Sequence, residues 1–236
     1  MRWGLGDFWI ATGIFLLTGV VLGAIAVLGD LGALATDSER EIDVGTAWLP
    51  FLIVVPALLQ ACYVLWVVRR KGRGVSADLA VRFKSVDLGI GAVLFAAGVT
   101  VATASAVAME QLFGINPSAA VADLIEDSDS TAGGISGWIL LLAVLVALVI
   151  PVIEEIVYRG LLWSALEKRG MGETAVLIVS SLIFAAIHLE PARFPILFVL
   201  GVALGYGRIR TGRLGPCVTA HICLNSVGMI ALLATL

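Results

Sequence analysis

Apolar stretches that are long enough, or nearly long enough, to cross a bilayer recur along the whole chain. A span needs about 20 predominantly apolar residues, and its backbone polar groups must be satisfied within the segment. The pattern therefore predicts an all-α polytopic membrane protein with about seven transmembrane helices in one membrane domain, residues 1–236. The stretches are residues 8–29, 47–68, 88–109, 136–166, 174–189, 194–208 and 214–236.

Composition supports the membrane class. Hydrophobic residues make up 60 % of the chain and charged residues 14 %, with a mean hydropathy of +1.04. Such values are typical of integral membrane proteins and exclude an ordinary soluble domain. The first apolar stretch follows Arg2 and is about 20 residues long, which is longer than the apolar core of a signal peptide, so we expect a retained first helix.

Lysine and arginine concentrate in alternate loops. Basic loops follow the second, fourth and sixth stretches, whereas acidic residues dominate residues 37–43 and 123–129. By the positive-inside rule the basic loops face the cytoplasm, so the N-terminus is predicted inside the cell membrane and the C-terminus outside. The acidic loops are predicted to be solvated connections on the outer side.

Ionisable and amide side chains interrupt the apolar segment 136–230. Such groups are unfavourable at membrane depth and usually mark a functional site. A rise of 1.5 Å per residue places Glu154 about 18 Å and His188 about 21 Å from the cytoplasmic ends of their helices. His221 and Asn225 come to about 10 and 16 Å by the same measure. Overlapping depths on three helices predict one buried polar site.

Spacing along the fourth apolar stretch separates its two glutamates. Residues four apart share a helix face, so Glu155 can pair with Arg159. Glu154 points about 100° away from Glu155 and has no local cationic partner. Burial of an unpaired carboxylate suits Glu154 to act as a general base. Pro151 is expected to kink this long helix and to keep both carboxylates inside the membrane.

Small and aromatic residues in the apolar stretches are assigned to packing. Gly19 with Gly23, and Gly201 with Gly205, have the small-xxx-small spacing that allows helices to approach closely. Tyr158 lies four residues after Glu154 and can reach the same pocket, but we expect it to pack against other helices or at the interface.

Three motifs, in this order, resemble those of the type II CAAX prenyl endopeptidases. This group is also called the CPBP (CAAX protease and bacteriocin-processing, abortive-infection-like) intramembrane protease family. The motifs are Glu-Glu-Ile-Val-Tyr-Arg at 154–159, Phe-Ala-Ala-Ile-His at 184–188 and His-Ile-Cys-Leu-Asn at 221–225. The resemblance covers about residues 136–230, the motif-bearing catalytic helices. Residues 1–135 form the variable first helices and loops, which match only in being apolar.

The resemblance implies an intramembrane endopeptidase, a hydrolase. Its pattern makes Glu154 and His188 the pair that positions and deprotonates a water, and His221 and Asn225 the groups that stabilise the oxyanion. The supporting positions are Glu155, Arg159 and Phe184. Eukaryotic members remove three residues from prenylated CAAX tails, whereas prokaryotic relatives are linked to peptide maturation and bacteriocin immunity.

The expected partners are a peptide or lipidated protein substrate and the surrounding membrane lipid, with no nucleic acid. Nothing in the residues specifies a prenyl group, and the oligomeric state stays open. We expect a lateral or funnel-like opening where two short helices meet at Glu190–Pro191, with entry to the site from the cytoplasmic side.

A metal-dependent mechanism is the alternative to the glutamate base. Glu154, His188 and His221 can hold Zn²⁺ with a water in the open position, and the family is commonly labelled metalloprotease. The sequence has no His-Glu-x-x-His spacing, and asparagine is an uncommon zinc ligand. Metal-free chemistry without a cofactor is therefore favoured.

Two other classes of function fit a buried polar site. A proton- or ion-coupled transporter also uses buried Glu, His and Arg, although the chain shows no inverted repeat. A non-catalytic membrane scaffold or immunity protein is the second, although the motif set is complete. Proteolysis that depends on Glu154 separates an enzyme from both.

Overall fold

All regular structure in the described part of the chain is helical. The computed structural model describes residues 2–34, 46–115, 117 and 135–234. The predicted all-α membrane class and the seven apolar helices are confirmed. Six of these helices are long and apolar enough to cross a membrane, whereas the helix Glu173–Ile187 has only 15 residues. The acidic residues of 37–43 and 123–129 lie outside the described residues.

The helices are α1 (Leu5–Leu34), α2 (Leu49–Lys71), α3 (Val75–Asp78), α4 (Val86–Phe113), α5 (Gly137–Glu167), α6 (Glu173–Ile187), α7 (Phe194–Thr211) and α8 (Gly215–Leu233).

Helix α5 contains two π-helical segments, Leu145–Val149 and Ile156–Leu162. The first ends just before Pro151, which has no N–H to donate and clashes with the preceding turn of an α-helix. The predicted effect of this proline therefore takes the form of a widened turn rather than an interruption of the helix. Segments of this kind occur frequently at functional sites.

The basic loops meet at one end of the bundle. Lys168 Nζ donates a hydrogen bond to the backbone oxygen of Trp3 at 2.9 Å, and Leu214 N donates to Ala80 O at 3.1 Å. The start of α1, the α2–α4 connection, the α5–α6 turn and the α7–α8 turn are therefore neighbours. We call this region the basic end, defined by Arg2, Arg69, Arg70, Lys71, Arg73, Arg82, Lys84, Lys168, Arg169, Arg208, Arg210 and Arg213.

Two buried aspartates hold the basic end together. Asp87, at the start of α4, is fully buried and accepts hydrogen bonds from two guanidinium nitrogens of Arg213 and from the backbone N–H of Lys84. Asp78 accepts from the Trp3 indole at 3.1 Å and from the Arg73 backbone N–H at 2.7 Å. These contacts fix the ends of α1, α3, α4 and α8 relative to one another.

Glycines set the distance between α6 and α7. A Cβ atom added at Gly201 would lie 3.0 Å from Ser181 Cβ, and one at Gly205 would lie 2.5 Å from Leu177 Cδ1. The predicted packing role of this pair is confirmed. The same prediction for Gly19 and Gly23 is wrong, because no atom of the described residues lies within 4 Å of a Cβ built at either position.

Acid should weaken the basic end through Asp78. Burial alone would raise the pKa of this carboxyl group, but hydrogen bonds from Arg73 and Trp3 outweigh burial and lower the pKa below its usual value. A lowered pKa stabilises the fold above the unfolded-state value, and this contribution is lost as the pH falls below about 4. We expect Asp78→Asn to lower the unfolding temperature at pH 7 and to flatten its decline in acid.

Thermal unfolding in detergent, measured between pH 7 and pH 3, checks this expectation. Glu173→Gln is the matched control, because Glu173 is an exposed carboxylate at the same end. An Asp78→Asn protein with the same acid-dependent decline as the original chain would contradict the assignment.

Candidate active site

A cavity of about 720 Å³ lies within the bundle and is bounded by all seven apolar helices. Its walls are mainly aliphatic, from residues such as Leu52, Ile53, Leu197 and Leu200. This is the composition expected of a ligand pocket, in which a few polar groups are set in an apolar wall. The polar side chains that line it are Gln60, Thr103, Glu154, Tyr158, His188, Glu190, Arg193, His221 and Asn225.

The cavity occupies the half of the bundle that lies away from the basic end. Its lining on α8 runs from His221 to Leu232, toward the end of the helix that lies opposite the basic end. The turn between α6 and α7 contributes Leu189, Glu190 and Arg193 to the same wall. The turn therefore forms part of the cavity wall. An opening at Glu190–Pro191, as expected from the sequence, would lead into this cavity. This position differs from the expected entry at the side of the basic end.

Glu154 lies between two histidines in the cavity. Its Oε1 atom is 3.9 Å from His188 Nε2, and its Oε2 atom is 3.4 Å from His221 Nε2. The Glu154 and His188 side chains are each 22 % exposed, so both are open to the cavity. A separation of 3.9 Å is too long for a direct hydrogen bond and suits a bridging water. The structure thus brings together three residues that the sequence places on three helices.

The end of α6 fixes the orientation of His188. The helix ends at Ile187, and the backbone N–H of His188 is directed at Ala186 O instead of Phe184 O. His188 Nδ1 lies 2.7 Å from Phe184 O, and because a carbonyl can only accept, Nδ1 must be the donor. In the neutral ring, Nε2 then has a free lone pair that faces Glu154. Leu189 follows with φ of 56°, so the chain turns sharply away after the histidine.

Glu155 and Arg159 form the predicted ion pair. Arg159 Nη1 donates to Glu155 Oε1 at 2.9 Å, and both side chains are 0 % exposed. Arg159 Nη2 donates to Gly201 O at 3.1 Å, which links α5 to α7. The guanidinium carbon also lies 4.5 Å from the centre of the Phe184 ring. The pair is therefore held between α5, α6 and α7.

The same buried carboxylate holds His221. His221 Nδ1 lies 2.9 Å from Glu155 Oε1, and it donates to this oxygen because an ionised carboxylate can only accept. The adjacent glutamates Glu154 and Glu155 thus reach opposite nitrogens of one imidazole. Sequence reasoning missed this contact, because helical spacing describes neighbours on α5 and carries no information about a ring that α8 supplies.

Asn225 is fixed by an irregularity in α5. Its Nδ2 donates to Val146 O at 3.0 Å. In the π-helical segment, Ile150 N–H donates to Leu145 O. The next donor in this register would be residue 151, which is a proline and has no N–H. Val146 O is therefore left for the asparagine, while the second N–H of Nδ2 and the Oδ1 atom are available on the cavity side.

Phe184 is the centre of an aromatic cluster beneath the site. Its ring centroid lies 4.8 Å from that of His188, 5.9 Å from that of His221 and 5.2 Å from that of Tyr158. All three contacts are edge-on, the geometry that the quadrupoles of aromatic rings favour. Phe184 thus packs against both histidines, and Tyr158 combines the expected packing role with a place in the cavity wall.

The fit to a metal ion is poor. Within residues 2–34, 46–115 and 135–234, no group of three or more His, Cys, Asp or Glu side chains is arranged to hold a metal. The proposed zinc ligands divide between two separate contacts, since each Glu154 oxygen faces a different histidine.

Comparison with known proteins identifies the segment that carries this site. Residues 136–227 match the family model described as type II CAAX prenyl endopeptidase Rce1-like. No match is found among the curated proteins or the solved structures. The matched segment contains all seven of the site residues that the three motifs predict. The resemblance is thereby confirmed: the motif-bearing part of this integral membrane protein is similar to the type II CAAX prenyl endopeptidase Rce1-like family.

Proposed function

We propose that the protein is an intramembrane endopeptidase that hydrolyses a peptide bond of a membrane-associated substrate with a water activated by Glu154. The observation that carries the proposal is the position of the Glu154 carboxylate between two histidine Nε2 atoms in a largely apolar cavity. The family match supports a CAAX-type protease activity in general terms.

The first step is activation of the water. A water that bridges Glu154 Oε1 and His188 Nε2 donates one hydrogen bond to each, because both atoms are acceptors. Its oxygen lone pair is then free to attack a substrate carbonyl carbon, and Glu154 takes the proton as the C–O bond forms. A positioned base of this kind contributes about 10²–10⁴-fold to the rate.

The second step is stabilisation of the oxyanion. His221 Nδ1–H is committed to Glu155, so Nε2 carries a hydrogen only when the ring is an imidazolium. In that state Nε2–H pairs with Glu154 at rest and turns to the oxyanion in the tetrahedral intermediate. The free N–H of Asn225 is the second donor. Glu154 then passes its proton to the leaving amine, the C–N bond breaks, and the products are a carboxylic acid and a new amine. The acid gives the second water proton to His188 Nε2 or to solvent and becomes a carboxylate.

No step in this mechanism uses a metal. Zinc is kept as the alternative cofactor, with Glu154, His188 and His221 as its ligands, and it would supply Lewis-acid activation of the water. The separate contacts of the two Glu154 oxygens favour the metal-free route.

We place the basic end in the cytoplasm, with the N-terminus inside and the C-terminus outside, because twelve lysines and arginines gather there. The cavity then extends toward the outer leaflet. A substrate that is itself lipidated or membrane-embedded can reach it from the bilayer, and a prenylated CAAX-type peptide is one such substrate.

The proposal predicts that Glu154→Gln abolishes cleavage while the protein stays folded. Glutamine keeps the shape and removes the base, so kcat for a fluorogenic farnesylated CAAX peptide in detergent should fall about 10²–10⁴-fold, the contribution of a general base. Glu110→Gln, which changes an exposed glutamate of α4, is the matched control.

Both proteins are assayed with and without a zinc chelator. Activity that survives chelation supports the metal-free route, and loss that added zinc restores would establish a metalloprotease. Cleavage that persists in Glu154→Gln would contradict the proposal, and ion flux that depends on Glu154 would favour a transporter.

A second prediction concerns the oxyanion. Asn225→Ala removes one donor, so kcat should fall by about 10²-fold with little change in KM, as for other oxyanion-hole donors. Ser226→Ala, one residue further along α8, should retain activity. A rise in KM at constant kcat would instead assign Asn225 to ground-state binding.

The orientation predicts opposite labelling at the two ends of the bundle. Cysteines are introduced at Ile135, before α5, and at Glu173, at the basic end, after Cys62, Cys217 and Cys223 are replaced by alanine. An impermeant thiol reagent should label Ile135→Cys in intact cells, and Glu173→Cys only after permeabilisation. The reverse pattern would place the basic end outside.

A further inference from the structure

Gln60 is a buried residue whose amide bonds to none of the other described residues. It lies on α2, is 6 % exposed and lines the cavity that contains Glu154. No hydrogen bond joins the Gln60 amide to another described residue, and its Oε1 and Nε2 atoms are not among the fully enclosed atoms that lack a partner, so they are accessible from the cavity. Gln60 belongs to none of the three motifs and lies outside residues 136–227, so the family match gives it no role.

Gln60 lies at the depth of the active site. Helices α2 and α5 both end at the basic end, at Lys71 and Glu167. Counted from those ends, Gln60 is about 16 Å deep and Glu154 about 20 Å deep, from a rise of 1.5 Å per residue. The amide and the catalytic carboxylate therefore face the same level of one cavity from different helices.

The Gln60 amide has its hydrogen-bonding groups free for a molecule in the cavity. It makes no hydrogen bond to the other described residues, so water or a ligand must supply its partners. The other cavity-lining residues of α2 are Leu52, Ile53 and Ala57, so Gln60 is the one polar group that this helix presents there. A residue that served only the packing of α2 would be aliphatic like its neighbours.

The chemistry of the side chain indicates the ligand. A carboxamide carries both a donor and an acceptor and no charge, which matches the N–H and C=O of a peptide backbone. An extended peptide that enters a membrane cavity loses its backbone hydrogen bonds to water, and each unpaired group is unfavourable there. A lipid tail offers no such groups, and a charged headgroup would call for a cationic or anionic side chain.

We infer that Gln60 is a substrate-binding residue that hydrogen-bonds the main chain of the substrate peptide near the scissile bond. This inference rests on the proposed endopeptidase function. Through Gln60 the first helices supply part of the site, and the aliphatic strip of α2 lies beside the bound peptide.

The test compares Gln60→Leu and the nearly isosteric Gln60→Met with Gln111→Leu. Gln111 is the second glutamine of the chain and is exposed at the end of α4, so it is the matched control. With the farnesylated CAAX peptide, kcat/KM should fall about 10–100-fold in both Gln60 variants, the effect of a lost hydrogen bond that leaves a buried partner unpaired. Gln111→Leu should leave it unchanged.

Thermal unfolding separates a substrate-binding role of Gln60 from a structural role, because loss of a structural residue lowers the unfolding temperature. Removal of an unpartnered buried amide should leave the unfolding temperature of Gln60→Leu equal to or above that of the original chain. A lower unfolding temperature in both Gln60 variants would mean that the amide stabilises the fold, and would overturn the inference.

Binding separates this inference from the proposed function. The fluorescent farnesylated peptide is titrated into Glu154→Gln, with and without Gln60→Leu, and Kd is measured by anisotropy. If Gln60→Leu weakens the Kd severalfold, the inference is supported. A lack of cleavage by the original chain would reject only the proposed function and would leave this binding result valid. No binding to Glu154→Gln, or equal Kd values for the two proteins, would overturn the inference.

Discussion

The site depends on one buried guanidinium group. Arg159 is fully enclosed, and a charge in such a position must be paired. Its neutralisation by Glu155, its bond to Gly201 O and its contact with the Phe184 ring draw α5, α6 and α7 together. The planar fork of arginine can make these contacts in fixed directions, which a lysine ammonium cannot. Gly201 also lets α7 pack closely against Ser181 of α6.

This pair serves orientation more than stability. Glu155 Oε2 and Arg159 Nε have no hydrogen-bond partner among the described residues. Buried pairs that are incompletely satisfied contribute little net stability, although removal of one partner destabilises by about 3–5 kcal/mol. What the pair provides is a fixed negative oxygen, Glu155 Oε1, against His221 Nδ1. That contact fixes His221 Nδ1 as a donor and directs Nε2 toward Glu154.

Two adjacent glutamates thus have different environments. Glu155 is fully enclosed and pairs with the Arg159 guanidinium. Glu154 faces the cavity, and its two carboxylate oxygens lie nearest to His188 and His221. The difference follows from the helix itself, because consecutive side chains point about 100° apart and one of them must leave the arginine face.

Hydropathy and helical spacing predicted a large part of this arrangement. They placed the seven apolar helices, the Glu155–Arg159 pair and the overlapping depths of Glu154, His188 and His221, because these depend on periodicity along single helices. They failed where two helices meet. The Gly19–Gly23 spacing did not predict a contact, since spacing does not reveal which face a neighbour covers.

Regular helical spacing also could not predict contacts that depend on an irregular turn of a helix. The carbonyl of Val146 is left for Asn225 only because a π-helical segment meets Pro151, and regular spacing does not predict such a segment. The sequence pattern assigns no function to Gln60, since a single glutamine in an apolar stretch belongs to no motif. Its significance appears only when burial, the cavity and the lack of a partner are seen together.

The shortness of α6 bears on how water reaches the peptide bond. Fifteen helical residues extend about 22 Å, whereas the hydrocarbon layer is about 30 Å thick. A helix with this mismatch draws the lipid headgroups inward around its end or leaves its last turn below the bilayer surface. His188 stands at that end. If His188 positions the water as proposed, a bilayer thinned beside this end would bring the aqueous phase close to the site, and water could be resupplied without a dedicated channel through the bundle.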